Sequence, residues 1–188
     1  MSTQSARTNE ISVADYLAGE QDGELRHEYV AGRVYAMTGA SARHGLLVGA
    51  LHALLYPASR RKGCQLFVND MKVHIQRAGE DAFYYPDLML ACEPDDRADY
   101  YREKPCLLIE VLCETTERID RCEKLYAYTG IFSLSEYLLV AQDSRRLDLY
   151  CRATDDWTHD SYTQGTVRLG CLELEIALDD IYADVERA

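Results

Sequence analysis

The chain has 188 residues, 47% of them hydrophobic, and a formal net charge of −12. That length suits one domain and that apolar fraction suffices for one core, while no run approaches the ~18 apolar residues of a membrane-spanning helix. The acidic balance argues against nonspecific nucleic-acid affinity, which needs a cationic surface.

The opening MSTQSARTNE has no apolar signal segment, so residues 1–10 read as a disordered N-terminus and 11–188 as a single cytoplasmic domain with no membrane contact. Ser12 caps a short helix that ends near Gly19. His27 to Val30 and Arg33 to Met37 read as strands around a turn at Ala31-Gly32, with Glu28 in the first. Ser41 caps a helix to about Tyr56, where Pro57 stops it, and His44 lies in its first turn. Gln65 to Gln76 alternates as one strand and makes a hairpin with FYYPDLMLAC, residues 83–92. Residues 93–105 are a polar loop. Pro105 to Leu112 is mostly apolar and reads as a strand buried on both faces. Thr115 or Thr116 then caps a helix that runs to about Tyr128 and stops at Gly130. Glu136–Ala141, Arg146–Cys151, Trp157–Tyr162 and Leu172–Ile176 continue as strands, before a helical turn at Asp179–Tyr182. The expected architecture is α/β, or α+β: a twisted mixed β-sheet flanked by helices on both faces.

Seven cysteines without a CxxC pair read as buried thiols in a reducing compartment, and the five histidines show no zinc-ligand spacing with them.

Two strands each carry one acid, Asp87 and Glu110. An unpaired carboxylate inside an apolar strand costs several kcal/mol, roughly, so Glu110 needs a partner. Strand parity puts Tyr85, Asp87 and Met89 on one face, and Leu108, Glu110 and Leu112 on one face. Two carboxylates brought to one point suit Mg²⁺ or Mn²⁺, which favour hard oxygen donors. Asp120 and Lys124 are four apart and share a helix face. Their bland reading is an exposed ion pair worth ~0.3–0.5 kcal/mol.

Tyr85-Pro86-Asp87, Glu110-Val111-Leu112, Thr116, Asp120, Lys124, Tyr128 and Ser135 to Val140, with His27-Glu28-Tyr29, Gly32 and His44 upstream, occur here in one order and spacing. In that set the chain resembles the Uma family of predicted endonucleases, within the PD-(D/E)XK restriction-endonuclease-like superfamily. The resemblance covers about residues 13–182. It implies a metal held by Asp87, Glu110 and the Val111 carbonyl, a catalytic Lys124, and Glu28 near the metal through water. His44 and Asp120 join the candidate set, and Tyr128 reads as packing. The usual superfamily lysine stands two residues after the glutamate, where this chain has Leu112; Lys124 matches the Uma position on the following helix. The implied activity is Mg²⁺-dependent hydrolysis of DNA, leaving 5′-phosphates, with DNA as the partner and a second copy of the chain as the other candidate partner. Phosphate contacts are sought in Arg60-Arg61-Lys62, Lys72, Arg77, Arg102 to Lys104 and Arg145-Arg146. The alternative is a non-catalytic nucleic-acid- or protein-binding module on the same scaffold, since a fold alone does not give activity.

Overall fold

The computed structural model describes residues 10–37, 39–113, 117–154 and 156–186. Residues 1–9 of the expected disordered N-terminus, and the cap candidates Thr115 and Thr116, lie outside them.

Helix α1 (Val13–Asp22) starts where Ser12 Oγ accepts the Asp15 N–H, and runs past Gly19 to a boundary at Gly23. Strands β1 (His27–Val30) and β2 (Arg33–Ala36) form the expected hairpin. Its two turn residues, Ala31 and Gly32, both have positive φ (47° and 83°), the geometry that matches strand twist in a two-residue loop. Helix α2 (Ala42–Lys62) is a full turn and more longer than expected, with Pro57 inside it. A proline removes only its own N–H bond, and the buried Ala58 and Ser59 beyond it hold the last turns against the core.

The stretch from Gln65 to Gln76 is two strands in two sheets, rather than one. Strand β3 (Gln65–Val68) ends at Asn69, where φ is 58°, and β4 (Lys72–Arg77) begins three residues later. Strand β5 (Glu80–Tyr84) pairs with β4, and β6 (Leu88–Ala91) pairs with β3. The break between β5 and β6 is Tyr85-Pro86-Asp87, so Asp87 stands at a strand entrance and not within one. Pro86 has no N–H to give a ladder, which suits a point where the chain changes sheets. The loop expected at 93–105 contains a two-residue strand, β7 (Tyr101–Arg102), parallel to β4.

Strand β8 (Pro105–Leu112) has the predicted bounds, and all but Cys106 of it is buried. It pairs antiparallel with β6 and parallel with β9 (Glu136–Ala141), followed by β10 (Leu147–Arg152) and β11 (Trp157–Tyr162). A further hairpin, β12 (Thr166–Leu169) with β13 (Leu174–Ala177), precedes α4 (Leu178–Tyr182). Among the described residues the main sheets have the orders β2-β1-β5-β4-β7 and β11-β10-β9-β8-β6-β3, each with one parallel pair. The expectation of a mixed sheet flanked by helices holds, with the strands divided between two sheets.

Helices cover both faces of the six-stranded sheet. On one, Leu107, Ile109 and Val111 of β8 pack with Leu47, Leu51 and Leu55 of α2 and with Ile181 of α4. On the other, Leu108 and Leu112 pack with Tyr84, Tyr128 and Tyr137. The helix after β8 is a π-helix over Ile119–Lys124, then α3 (Leu125–Thr129). Asp120 and Lys124 are both buried in it, at 2% and 6% exposure, so the exposed-pair reading is wrong.

The cysteines also depart from expectation. Gln65 pairs with Ala91 across β3 and β6, and the next cross-strand pair is Cys64 with Cys92, which form a disulfide. The register that joins them was not readable before the sheet was known.

On β10, Asp148 is 1% exposed and accepts from Arg121 (2.8 Å), Arg146 (3.0 Å), His159 (3.2 Å) and Ser161. Burial opposes its charge, but these donors win and hold the carboxyl well below the usual aspartate range. A depressed folded value stabilises above the unfolded value of 3.8 and is lost as pH falls through the folded one. Asp148→Asn should therefore flatten the acid limb of stability below about pH 4, read by melts at pH 2 to 5; an unchanged acid limb would assign that limb to other groups.

Candidate active site

The site lies where the chain passes between the two sheets. Asn69 N–H donates to Asp87 O (3.0 Å), tying the β3–β4 crossing to the β5–β6 crossing. Asp87 Oδ2 accepts from Val111 N–H at 2.7 Å and lies 3.1 Å from His44 Nε2. The first contact binds Asp87 to the residue after Glu110. His44 reaches it because Ser41 caps α2, accepting the His44 N–H at 3.1 Å and aiming the first turn at the crossing. The hydrogen bond to Asp87 raises the His44 pKa, against burial, with the Asp87 charge adding to it.

Glu110 is 4% exposed. Its Oε1 accepts from Tyr128 OH (2.9 Å) and Lys124 Nζ (3.2 Å). Lys124 Nζ also lies 2.9 Å from Glu28 Oε1 and 3.2 Å from Asp120 Oδ1. Asp120 Oδ1 is buried with no hydrogen-bond donor among the described residues, since the lysine is close but off the bonding direction. The same Glu28 oxygen also accepts from Tyr85 N–H at 3.4 Å.

One lysine therefore faces three carboxylates, and Asp87 makes a fourth. Burial, then the charges of Asp120, Asp87 and Glu28, raise the Glu110 carboxyl well above the ordinary value, and Lys124 only partly offsets them. Burial alone would lower the Lys124 ammonium. Glu110, Glu28 and Asp120 outweigh it and hold the lysine well above its usual value.

All seven candidates, Glu28, His44, Asp87, Glu110, Val111, Asp120 and Lys124, line one cavity of about 500 Å³. Among the described residues no group of three or more His, Cys, Asp or Glu side chains forms a ready metal cage. Lys124 sits among three of the carboxylates, and Asp87 is turned to Val111 and His44. The donor set still fits a hard divalent cation. It has surplus negative charge, a buried oxygen without a donor, and a glutamate whose ionisation is opposed by burial and by three neighbouring acids.

The reading of Tyr128 as packing is incomplete, since its hydroxyl holds Glu110. Its position four residues after Lys124, on the same face, was the available signal. Of the basic clusters, Arg60 and Arg61 are exposed, while most of the others are engaged within the fold. Lys72 is buried against Tyr85 (3.1 Å) and Arg102 against the Ala98 carbonyl, while Lys62 pairs with Glu173, Lys104 with Asp95, Arg145 with Asp179, and Arg146 with Asp148.

Comparison with known proteins identifies the family and the fold. Residues 13–181 match the model of the Uma2 family, described as "Putative restriction endonuclease". An uncharacterized protein of Synechocystis is 33% identical over 181 residues, 95% of this chain and 94% of its own. A second uncharacterized Synechocystis protein is 31% identical over 153 residues, 80% of this chain and 85% of its own. The crystal structure of a "putative nuclease" from Anabaena variabilis superposes with a TM-score of 0.67, at 13% identity, over 92% of this chain and 98% of that one. That likeness fixes the fold, and the family match over nearly the whole length fixes the descent: the chain belongs to the Uma2 family of restriction-endonuclease-like proteins.

Proposed function

We propose that the protein is a Mg²⁺- or Mn²⁺-dependent endonuclease that hydrolyses DNA phosphodiester bonds. The observation that carries this reading is the convergence of Glu28, Asp87, Glu110, Asp120 and Lys124 on one cavity, from two strands, one strand entrance and one π-helix. Asp87, Glu110 and the Val111 carbonyl would hold the ion. When bound, it supplies positive charge that polarises the scissile phosphate and acidifies a water. Val111 N–H and His44 keep Asp87 oriented. Lys124 orients the attacking water and neutralises charge that develops on the phosphate. Tyr128 and Lys124 fix the Glu110 carboxylate, and Glu28, the most solvent-facing of the lysine's three partners, holds a water at the edge of the site. With four carboxylates here and few unengaged cations around them, approach of a phosphate depends on the divalent ion.

Calorimetric titration with Mg²⁺ and Mn²⁺ tests the ligand set. Wild type should bind, and Asp87→Asn should weaken binding by at least about tenfold. Equal heats from the two proteins would remove Asp87 from the ligands. The linkage with pH has a definite sign. Between the unfolded value of 4.5 and its raised folded value, Glu110 keeps a proton in the folded state that the unfolded chain has lost. Metal-free stability contributed by this group therefore falls as pH rises through that window, and a metal has to displace the proton. The rise in melting temperature on adding Mg²⁺ should grow from pH 5 to pH 8. A rise independent of pH would place the ion away from Glu110.

The non-catalytic alternative draws on the net charge of −12 and on the ion pairs that engage Lys62, Lys104, Arg145 and Arg146 within the fold. Metal binding without cleavage is its signature.

A further inference from the structure

Four of the seven cysteines gather at the ends of β6 and β8 remote from the carboxylates. Cys64 sits between α2 and β3, Cys92 follows β6, Cys106 is the second residue of β8, and Cys171 lies in the turn after β12. Cys64 and Cys92 are disulfide-bonded, and Cys106 Sγ stands 3.4 Å from Cys92 Sγ. A bulge makes this approach possible. The β6–β8 register runs Leu90 to Leu107 and then Ala91 to Pro105, so Cys106 has no cross-strand partner of its own. A bulged residue is free to turn out of the alternation, which otherwise sends this position to the face of Leu108 and Glu110. Cys106 packs instead with Cys92 and Cys171 against the cluster under α2.

We propose that Cys64, Cys92 and Cys106 form a thiol–disulfide exchange site, in which Cys106 attacks Cys92 and releases Cys64. The Cys106 thiol gives its proton to solvent, and its sulfur electron pair forms the new bond to Cys92 Sγ. The Cys64–Cys92 bond breaks with its electron pair on Cys64, which takes a proton from solvent. One disulfide is lost and one gained, so no oxidant or reductant is consumed. Cys171 sets up the attack. Cys171 Sγ donates to the Cys106 carbonyl at 3.0 Å, and this neighbour lowers the Cys106 thiol below the usual 9.0, while burial and the Glu136 carboxylate oppose. Cys171 spends its own proton on the Cys106 carbonyl, and Cys106 Sγ, 3.4 Å from Cys92 Sγ, is the sulfur placed to attack. Cys106 is partly exposed, and Cys64, 9% exposed, follows the exposed Gly63, so solvent can take the one proton and supply the other. The exchange moves the covalent tie. In one state it fastens the end of α2 to β6; in the other it fastens β6 to β8 and frees the α2 end.

The test uses the wild-type chain purified without reductant and labelled under native conditions with iodoacetamide. Digested peptides are then mapped by mass spectrometry, with fragmentation to separate Cys106 from Cys113. Exchange predicts partial labelling of both Cys64 and Cys106, with Cys64–Cys92 and Cys92–Cys106 peptides together. Cys64→Ser, oxidised with glutathione disulfide, should yield Cys92–Cys106, and Cys106→Ser should keep only Cys64–Cys92. Labelling of Cys106 alone in wild type, with Cys92 linked only to Cys64, overturns the proposal without reference to either variant.

Discussion

Lys124→Ala should lose about 3–5 kcal/mol of stability in metal-free buffer, the usual cost of removing one partner from a buried ion pair. For a chain of this size that is a fall in melting temperature of roughly 6–20 °C. The cause is the three carboxylates left behind. Glu28, Glu110 and Asp120 all lie within 3.2 Å of the ammonium, and the last two are almost wholly buried. Millimolar Mg²⁺ should return part of the loss, because a divalent cation replaces the missing charge. Thermal melts with EDTA and with Mg²⁺ measure both effects. A variant that melts within about a degree of wild type would mean that these contacts carry no net energy.

Glu110→Gln should act in the opposite direction on stability and abolish function. Glutamine keeps the shape and an acceptor for Tyr128, while Lys124 retains Glu28 and Asp120. The substitution removes the carboxylate whose ionisation burial and three neighbouring acids oppose. Metal-free melts should show a gain that grows as pH rises from 5 to 8, as the wild-type carboxyl is driven to ionise. DNA cleavage should fall by about a hundredfold or more. A loss of stability at pH 8 would show that the Glu110–Lys124 pair, and not the surplus of acids, dominates the site.

Much of this was legible in the sequence because the signals are local. The β1–β2 hairpin, β8, β9 and β11 were read within a residue, since each is a short run bounded by turn residues or a proline. What failed was set by tertiary context. Packing of Ala58 and Ser59 carried α2 through Pro57, and the change of sheet at Asn69 divided an alternating run that looked like one strand. Asp87, Glu110 and Lys124, singled out by the order of their motifs, line one cavity in the fold. The burial of Lys124 and Asp120 was not readable, because the partners that surround the lysine, Glu28 and Glu110, come from two distant strands. The Cys64–Cys92 pair depends on a strand register that no spacing of cysteines reveals.

The central claim is hydrolysis of DNA at the cavity that joins the two sheets. It is tested most directly by incubating plasmid DNA with wild type, Asp87→Asn and Glu110→Gln, each with Mg²⁺, Mn²⁺ or EDTA, and following nicked and linear products on a gel. The account predicts cleavage by wild type with either metal, none with EDTA, and a loss on the order of a hundredfold or more in both variants. Wild type that binds Mg²⁺ and leaves DNA intact, or variants that cleave like wild type, would contradict it.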